Sequence, residues 1–298
     1  MKVGIQLPEV EREVRWPELR QMVRLIEEAG FDSIWVGDHL LYRSESKAAA
    51  GPWEAWSQLA AIAAITERVE LGPLVAATPF HSPAMLAKKA VTVDEISAGR
   101  LILGLGAGWN QAEFSAFGFP FDNRVSRFEE AFTIIRTLVR EGAIDFQGKY
   151  YSARDCEILP RGPRPQGPPI MIGSRGPRML RISAPFMDQW NAWYAWFGND
   201  VARLPPIIEK LDNALLAAGR DPAEVERSAA MLIQLGGGEG RLTGDPDRGV
   251  SMPFQGTPDQ IAAEIAVYGE LGISHMQLVL EPITARSIEA VAEILPLL

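Results

Sequence analysis

The chain is almost without cysteine: Cys156 stands alone among 298 residues. A single thiol excludes an intrachain disulfide and any structural zinc site built on paired thiolates. Cys156 reads as a small side chain in a loop, and no metal site is expected. Histidine is nearly as scarce, with only His39, His81 and His275, so imidazole chemistry near neutral pH has few possible seats. Basic charge is short as well. Lys and Arg number 29 against 38 Asp and Glu, for a net charge of −9, and the basic residues are scattered, which argues against a nucleic-acid partner. No apolar run approaches the ~18 residues that a membrane span requires. The amino terminus enters an apolar strand after two residues and carries no signal-peptide pattern. The expectation is a cytoplasmic protein that engages neither membrane nor nucleic acid and acts on a small molecule.

What is present is ordinary globular composition, 47% hydrophobic and 22% charged, organised as one repeated theme. Short β-branched runs alternate with longer amphipathic stretches. The predicted strands are Val3–Leu7, Ser33–Val36, Val69–Val75, Arg100–Gly106, Pro169–Gly173, Phe186–Asn191, Glu226–Leu235 and Ile273–Leu280. The predicted helices are Trp16–Ala29, Trp56–Thr66, Pro83–Ser97, Arg124–Arg140, one beginning near Pro177, Asp200–Ala218, Pro258–Leu271 and Thr284–Leu297. Several open on proline, which is tolerated in a first helical turn, and Gly30 stands at a C-cap position. Near-continuous apolar strands suit a parallel sheet covered by helices. Eight such units in one chain predict a closed (β/α)8 TIM barrel, a single domain over residues 1–298. Four segments are too long to be plain connections: Gly37–Ala55, Ala107–Asn123, Gly142–Pro168 and Gly236–Thr257. Three follow a strand and so become insertions at the carboxyl face, where active sites of this fold lie. The segment Gly142–Pro168 follows a helix and reads as a small hairpin or lid.

The candidate site residues cluster at these strand ends. Asp38 and His39 follow the second strand, where the imidazole would point toward the barrel mouth; Asp38 would fix its tautomer or bond a cofactor directly, and a histidine satisfied in a turn is the equal alternative. His275, inside the last strand, reads as a satisfied core histidine, and His81 is the weaker candidate. The run Gly104-Leu-Gly-Ala-Gly-Trp-Asn110 offers close backbone approach and a flat face, without the spacing of a dinucleotide fingerprint. Gly173-Ser-Arg-Gly176 precedes a helix and suits a phosphate, or is a tight turn with no ligand. The tryptophans Trp53, Trp56, Trp109, Trp190, Trp193 and Trp196 fall near carboxyl-side loops and either wall a pocket or fill core. Glu113 is a proton donor or acceptor, or a solvated or capping glutamate.

Taken together, Asp38-His39-Leu40, Leu71–Pro83, Ser97–Trp109, Pro168–Leu180 and Asp188–Asn191 resemble the luciferase-like monooxygenase family, and most of all its branch that uses the deazaflavin coenzyme F420. The resemblance runs from the first strand to the last helix and implies a (β/α)8 barrel with carboxyl-face insertions. It implies a redox enzyme moving a hydride between the coenzyme and an organic substrate. Leu74, Val75, Ala76 and Ala77 would back the ring, with a cis peptide at Leu74–Val75. Gly106, Ala107, Gly108, Trp109 and Asn110 would lie beside the ring and ribityl chain, and Gly173, Ser174, Arg175 and Gly176 would cradle the phosphate. Asp38 and His39 would sit near the ring, His39 moving a proton. The chain departs from the pattern where Ala77 replaces a hydroxyl, Trp109 replaces a catalytic glutamate of one dehydrogenase-like branch, and His81 replaces an arginine. The alternative is an FMN-dependent monooxygenase fed by a separate reductase. A sugar-phosphate isomerase or aldolase is disfavoured by the lack of a strand-end lysine, and relatives imply a homodimer.

Overall fold

The computed structural model describes residues 1–43, 48–236 and 251–298. Eleven strands and nine α-helices alternate through the described residues. In chain order they are β1 (Lys2–Gln6), α1 (Trp16–Ala29), β2 (Ser33–Val36), α2 (Ala55–Ile65), β3 (Glu70–Pro73), β4 (Ala76–Ala77), α3 (Pro83–Ile96), β5 (Leu103–Gly106), α4 (Gln111–Phe117) and α5 (Arg124–Glu141). There follow β6 (Ala143–Gln147), β7 (Ser152–Glu157), β8 (Ile170–Ile172), α6 (Pro177–Ser183), β9 (Gln189–Ala192), α7 (Pro205–Ala217), β10 (Glu226–Gln234), α8 (Pro258–Glu270), β11 (His275–Glu281) and α9 (Ala285–Ala292).

Nine strands form one sheet in the order β3-β2-β1-β11-β10-β9-β8-β5-β4, with parallel pairing throughout. Because β3 and β4 are two pieces of one strand, interrupted at a cis Leu74–Val75 peptide, the nine occupy the eight positions of a barrel. A parallel bridge between Leu71 and Leu101 closes the ring: Leu71 N donates to Arg100 O at 3.1 Å and Ile102 N to Leu71 O at 2.8 Å. The eight strand-helix units and the cis bond are as the sequence implied.

Local chemistry sets the element ends. In α1, Pro17 takes a first-turn place, and Gly30 at φ 99° supplies the left-handed C-cap whose N–H returns to Glu27 and Ile26 carbonyls; a side chain there would be strained. Thr257 and Gln260 form a reciprocal capping box that starts α8. The main core lies between strands and helices, from Val3, Ile5 and Ile34 to Leu278 and Ile288, all at most 1% exposed. Inside the barrel a second cluster of Trp35, Leu74, Ile102 and Met171 stops the lumen beneath its carboxyl mouth.

His275 sits in that lumen as the expected core histidine. Trp35 Nε1 donates to Ser33 Oγ at 2.7 Å, so the serine hydroxyl is free to give its proton to His275 Nε2, 2.7 Å away. That demands a neutral ring, and burial, with Lys2 nearby, lowers its pKa to about 3.

Several predicted boundaries shift. The sixth barrel strand starts at Gln189, not Phe186, because the amides of Phe186 and Met187 bond back to Ser183 and end α6 in a turn. α7 starts at Pro205, the preceding Val201–Arg203 forming a single 3-10 turn capped by Asp200. The Ala107–Asn123 insertion contains an unpredicted helix, α4. Gly142–Pro168 forms the hairpin β6–β7, and the lid reading is corrected: Glu130 of α5 accepts the amides of Lys149, Tyr150 and Tyr151, which ties the hairpin to the outer wall. Within the Gly236–Thr257 insertion residues 237–250 lie outside the described residues, as do 44–47 of Gly37–Ala55. No helix among the described residues is long and apolar enough to cross a membrane.

Candidate active site

A cavity of about 510 Å³ opens where the barrel strands end. It is lined from the segments after β1 (Glu9, Val10), β2 (Asp38, His39, Tyr42), β3 (Leu74, Val75), β5 (Ala107, Gly108, Trp109), β8 (Gly173 to Gly176) and β9 (Trp193 to Trp196), with Arg124 and Val125 from the start of α5. Such a volume is that of a small-molecule site, and its place is the catalytic face of this architecture. Of the residues proposed from sequence, Asp38, His39, Leu74, Val75, Ala77, Gly106, Ala107, Gly108, Trp109, Gly173, Ser174, Arg175 and Gly176 all line this one cavity. Ala76 and Asn110 do not. Ala76 is fully buried in the core between strands and helices. Asn110 caps α4, its Oδ1 accepting from Ala112 N at 3.2 Å while Nδ2 donates to Leu41 O at 3.0 Å.

The floor is built by the interrupted third strand. Asp38 is buried, and its Oδ2 accepts the Ala77 amide at 2.9 Å and faces His81 Nε2 at 2.8 Å. Thr78 Oγ1 donates to Gly106 O at 3.1 Å, locking β4 to β5. The weaker histidine candidate, His81, is thus the partner of Asp38. The expectation that Asp38 fixes the tautomer of its neighbour His39 is corrected. Asp38 Oδ2 is committed to the bulged strand and to His81.

That partner is Glu113. His39 Nδ1 lies 2.9 Å from Glu113 Oε1, while Oε2 accepts the amides of Leu40 at 2.5 Å and Leu41 at 3.3 Å. Glu113 is fully buried because α4, unseen in the sequence, turns it inward. Burial opposes charge on His39, but the Glu113 hydrogen bond together with the Glu9, Glu113 and Asp38 carboxylates outweighs it and raises its pKa above 6.5. With Nδ1 on Glu113, Nε2 is the ring nitrogen left for chemistry in the cavity. Tyr42, tilted at 4.8 Å between ring centroids, and Trp109, edge-on at 5.5 Å, flank the imidazole.

Arg124 was not anticipated. Its Nη1 donates to Gly108 O at 2.8 Å and its guanidinium stacks 4.1 Å from the Phe121 ring; burial lowers its pKa without neutralising it. Arg175 donates to Trp196 O at 2.9 Å from the facing loop. The cavity therefore brings aromatic rings, the His39 imidazole and two guanidiniums into one lining. This arrangement can seat a flat ring, an anionic group and a proton-transfer residue together. Among the described residues no group of three His, Cys, Asp or Glu is arranged to hold a metal ion.

Comparison with known proteins agrees with that geometry. Residues 1–241 match the family model described as luciferase-like monooxygenase. The chain is 34% identical over 189 residues to the 5,10-methylenetetrahydromethanopterin reductase of Archaeoglobus fulgidus, covering 63% of this chain and 52% of that one. It is 38% identical over 163 residues to the F420-dependent glucose-6-phosphate dehydrogenase of Amycolatopsis mediterranei, covering 53% and 47%. The chain thus spans about half the length of the curated relatives it matches. In fold it superposes on an F420-dependent secondary alcohol dehydrogenase, solved with an F420-acetone adduct, with a TM-score of 0.81 at 19% identity, covering 99% of this chain and 98% of that one. The barrel, the bulged third strand and the matched segment together make this chain a member of the luciferase-like monooxygenase family.

Proposed function

We propose that the protein is an F420-dependent oxidoreductase that transfers a hydride between the deazaflavin and a small organic substrate. One observation carries the reading: the apolar floor at Leu74–Val75, the acid–base pair His39–Glu113 and the cations Arg124 and Arg175 surround a single cavity. The names of the relatives, a reductase and a dehydrogenase, support it.

The lining fits such a coenzyme by its chemistry. Leu74, Val75, Ala77 and the strand end Gly106 to Trp109 would take the ring, with Asp38 at its edge. Gly173, Ser174, Arg175 and Gly176 would face the phosphate, joined by Arg124. Ala76 and Asn110 act behind them, Ala76 by seating the bulged strand in the core and Asn110 by holding α4 and thus Glu113. Bound there, the coenzyme supplies the hydride. His39 Nε2 gives a proton to the substrate atom that needs one, or takes it back in the reverse direction, while Glu113 supports the charge on the ring. Trp109, Trp193 and Trp196 exclude water from the reacting face.

An FMN-dependent monooxygenase supplied by a separate reductase is the second reading, favoured by the family to which the chain belongs. Turnover separates them. The first reading expects reduced deazaflavin to be oxidised by organic acceptors under anaerobic conditions. Product formed only with reduced FMN and oxygen would replace it with the second.

A further inference from the structure

Asn191, in β9, is buried and lines the central cavity, yet nothing above gives it a part in the chemistry. In the closed ring β9 stands four positions from β2 in either direction. Asn191 and Asp38, which follows β2, therefore lie on opposite sides of the cavity. The Asn191 amide is held from behind. Nδ2 donates to Ser228 Oγ at 3.0 Å and to Gln277 Oε1 at 2.8 Å. Ser228 gives its own proton to Trp190 O at 3.1 Å, so its hydroxyl accepts from the amide, and both Nδ2 hydrogens are used. Turned over, the amide would set Oδ1 against Gln277 Oε1. Oδ1 makes no hydrogen bond with a described residue and is left as an acceptor toward the cavity.

We infer that Asn191 Oδ1 accepts the hydrogen of the phenolic 8-hydroxyl that a deazaflavin ring carries and FMN lacks. The inference rests on the reading of the central cavity as a deazaflavin site and deepens it. Charge decides which end of the ring lies where. The ring has a donor at each end, the imide N–H and the phenol. Asp38 offers a carboxylate whose Oδ2 serves Ala77 N and His81 Nε2, while Oδ1 makes no hydrogen bond with a described residue. That carboxylate suits the imide, whereas an ionisable phenol beside it would meet like charge. The phenol end then reaches across to β9, where a neutral amide oxygen accepts its hydrogen. FMN carries a methyl group at that place, which would leave Oδ1 covered and unpaired.

The test is tryptophan-fluorescence titration of the whole protein with three oxidised deazaflavins: the 8-hydroxy ring, its 8-deoxy analogue and its 8-methoxy analogue. A slightly acidic buffer keeps the phenolic hydrogen in place on the free ring. The wild type should bind the 8-hydroxy form about tenfold more tightly than the 8-deoxy form. The 8-methoxy form keeps the oxygen but has no hydrogen to give, and should gain nothing over the 8-deoxy form. Asn191→Leu, which fills similar space without an acceptor, should lose the preference, and the smaller change Asn191→Ala should lose it too. Equal binding of the 8-hydroxy and 8-deoxy forms by the wild type overturns the assignment to Asn191 while the ring site stands. So does an 8-methoxy form that binds as tightly as the 8-hydroxy form, or a preference that survives in either variant. Failure of every deazaflavin form to bind overturns the central reading itself, and this assignment with it.

Discussion

Replacing His39 with Gln lowers turnover by about two to four orders of magnitude, the range expected for loss of a general acid–base residue, and leaves coenzyme affinity within a few-fold of wild type. The reason lies in its surroundings. Its Nδ1 is held by Glu113 at 2.9 Å, its flanks by Tyr42 and Trp109, and Nε2 remains for the substrate. Glutamine fills similar space without a titratable proton. The pH profile gives a second readout. His39 has its pKa raised, so in the direction that needs a proton donor the rate falls as pH rises through a value above 6.5. In the reverse direction the rate rises through that same value. In Glu113→Gln the opposing effect of burial is left with less to counter it, and both limbs move to lower pH. Stopped-flow rates across pH check this. A His39→Gln enzyme with near wild-type turnover, or an unmoved limb in Glu113→Gln, would assign proton transfer elsewhere.

Gly104→Ala should damage both stability and coenzyme binding, although its side chain adds one carbon. A Cβ at Gly104 would lie 2.2 Å from the Pro73 carbonyl oxygen, 2.9 Å from Val75 Cγ1 and 3.1 Å from Met171 Cε. The first of these is backbone, fixed by the β2–β3 ladder at Val36 and Pro73, so it cannot swing aside as a flexible side chain would. Relief requires β3 and β5 to separate just below the Leu74–Val75 floor. Overpacking of this kind costs about 1–3 kcal/mol, and the displaced floor adds a loss of coenzyme affinity of tenfold or more. Gly219→Ala would add strain at φ 74°, so Gly236→Ala is the control, since no described residue lies within 4 Å of a Cβ there. Thermal melts and coenzyme titrations on the two variants give the comparison. Wild-type stability and affinity in Gly104→Ala would show that the floor is not set by this strand contact.

The barrel was legible because it rests on local pattern: β-branched runs, amphipathic stretches, prolines in first turns and a glycine C-cap at Gly30 all act within a few residues of themselves. Most of the cavity lining followed, since strand ends of a barrel must meet at one face. The failure at His39 has a plain physical cause. The partner of His39 lies 74 residues away in Glu113, and no spacing rule reveals which distant carboxylate a histidine meets. Adjacency suggested Asp38, but neighbours along an extended segment point apart, and Asp38 reaches Ala77 and His81 instead. Asn110 followed three residues later by Glu113 carries a helix-start signal; weighed against ring contact, that signal was the better guide. Arg124 opens a predicted helix, where its charge gave no hint that Gly108 and Phe121 would hold it at the cavity edge.

The central claim is that the floor at Leu74–Val75 and the His39–Glu113 pair belong to one coenzyme site. A crystal structure of the protein soaked with oxidised deazaflavin tests it most directly. The account predicts density for the ring against Val75 with His39 Nε2 facing the reacting side, and the phosphate beside Arg124 and Arg175. Coenzyme density outside the barrel mouth, with that cavity holding only water, would contradict it.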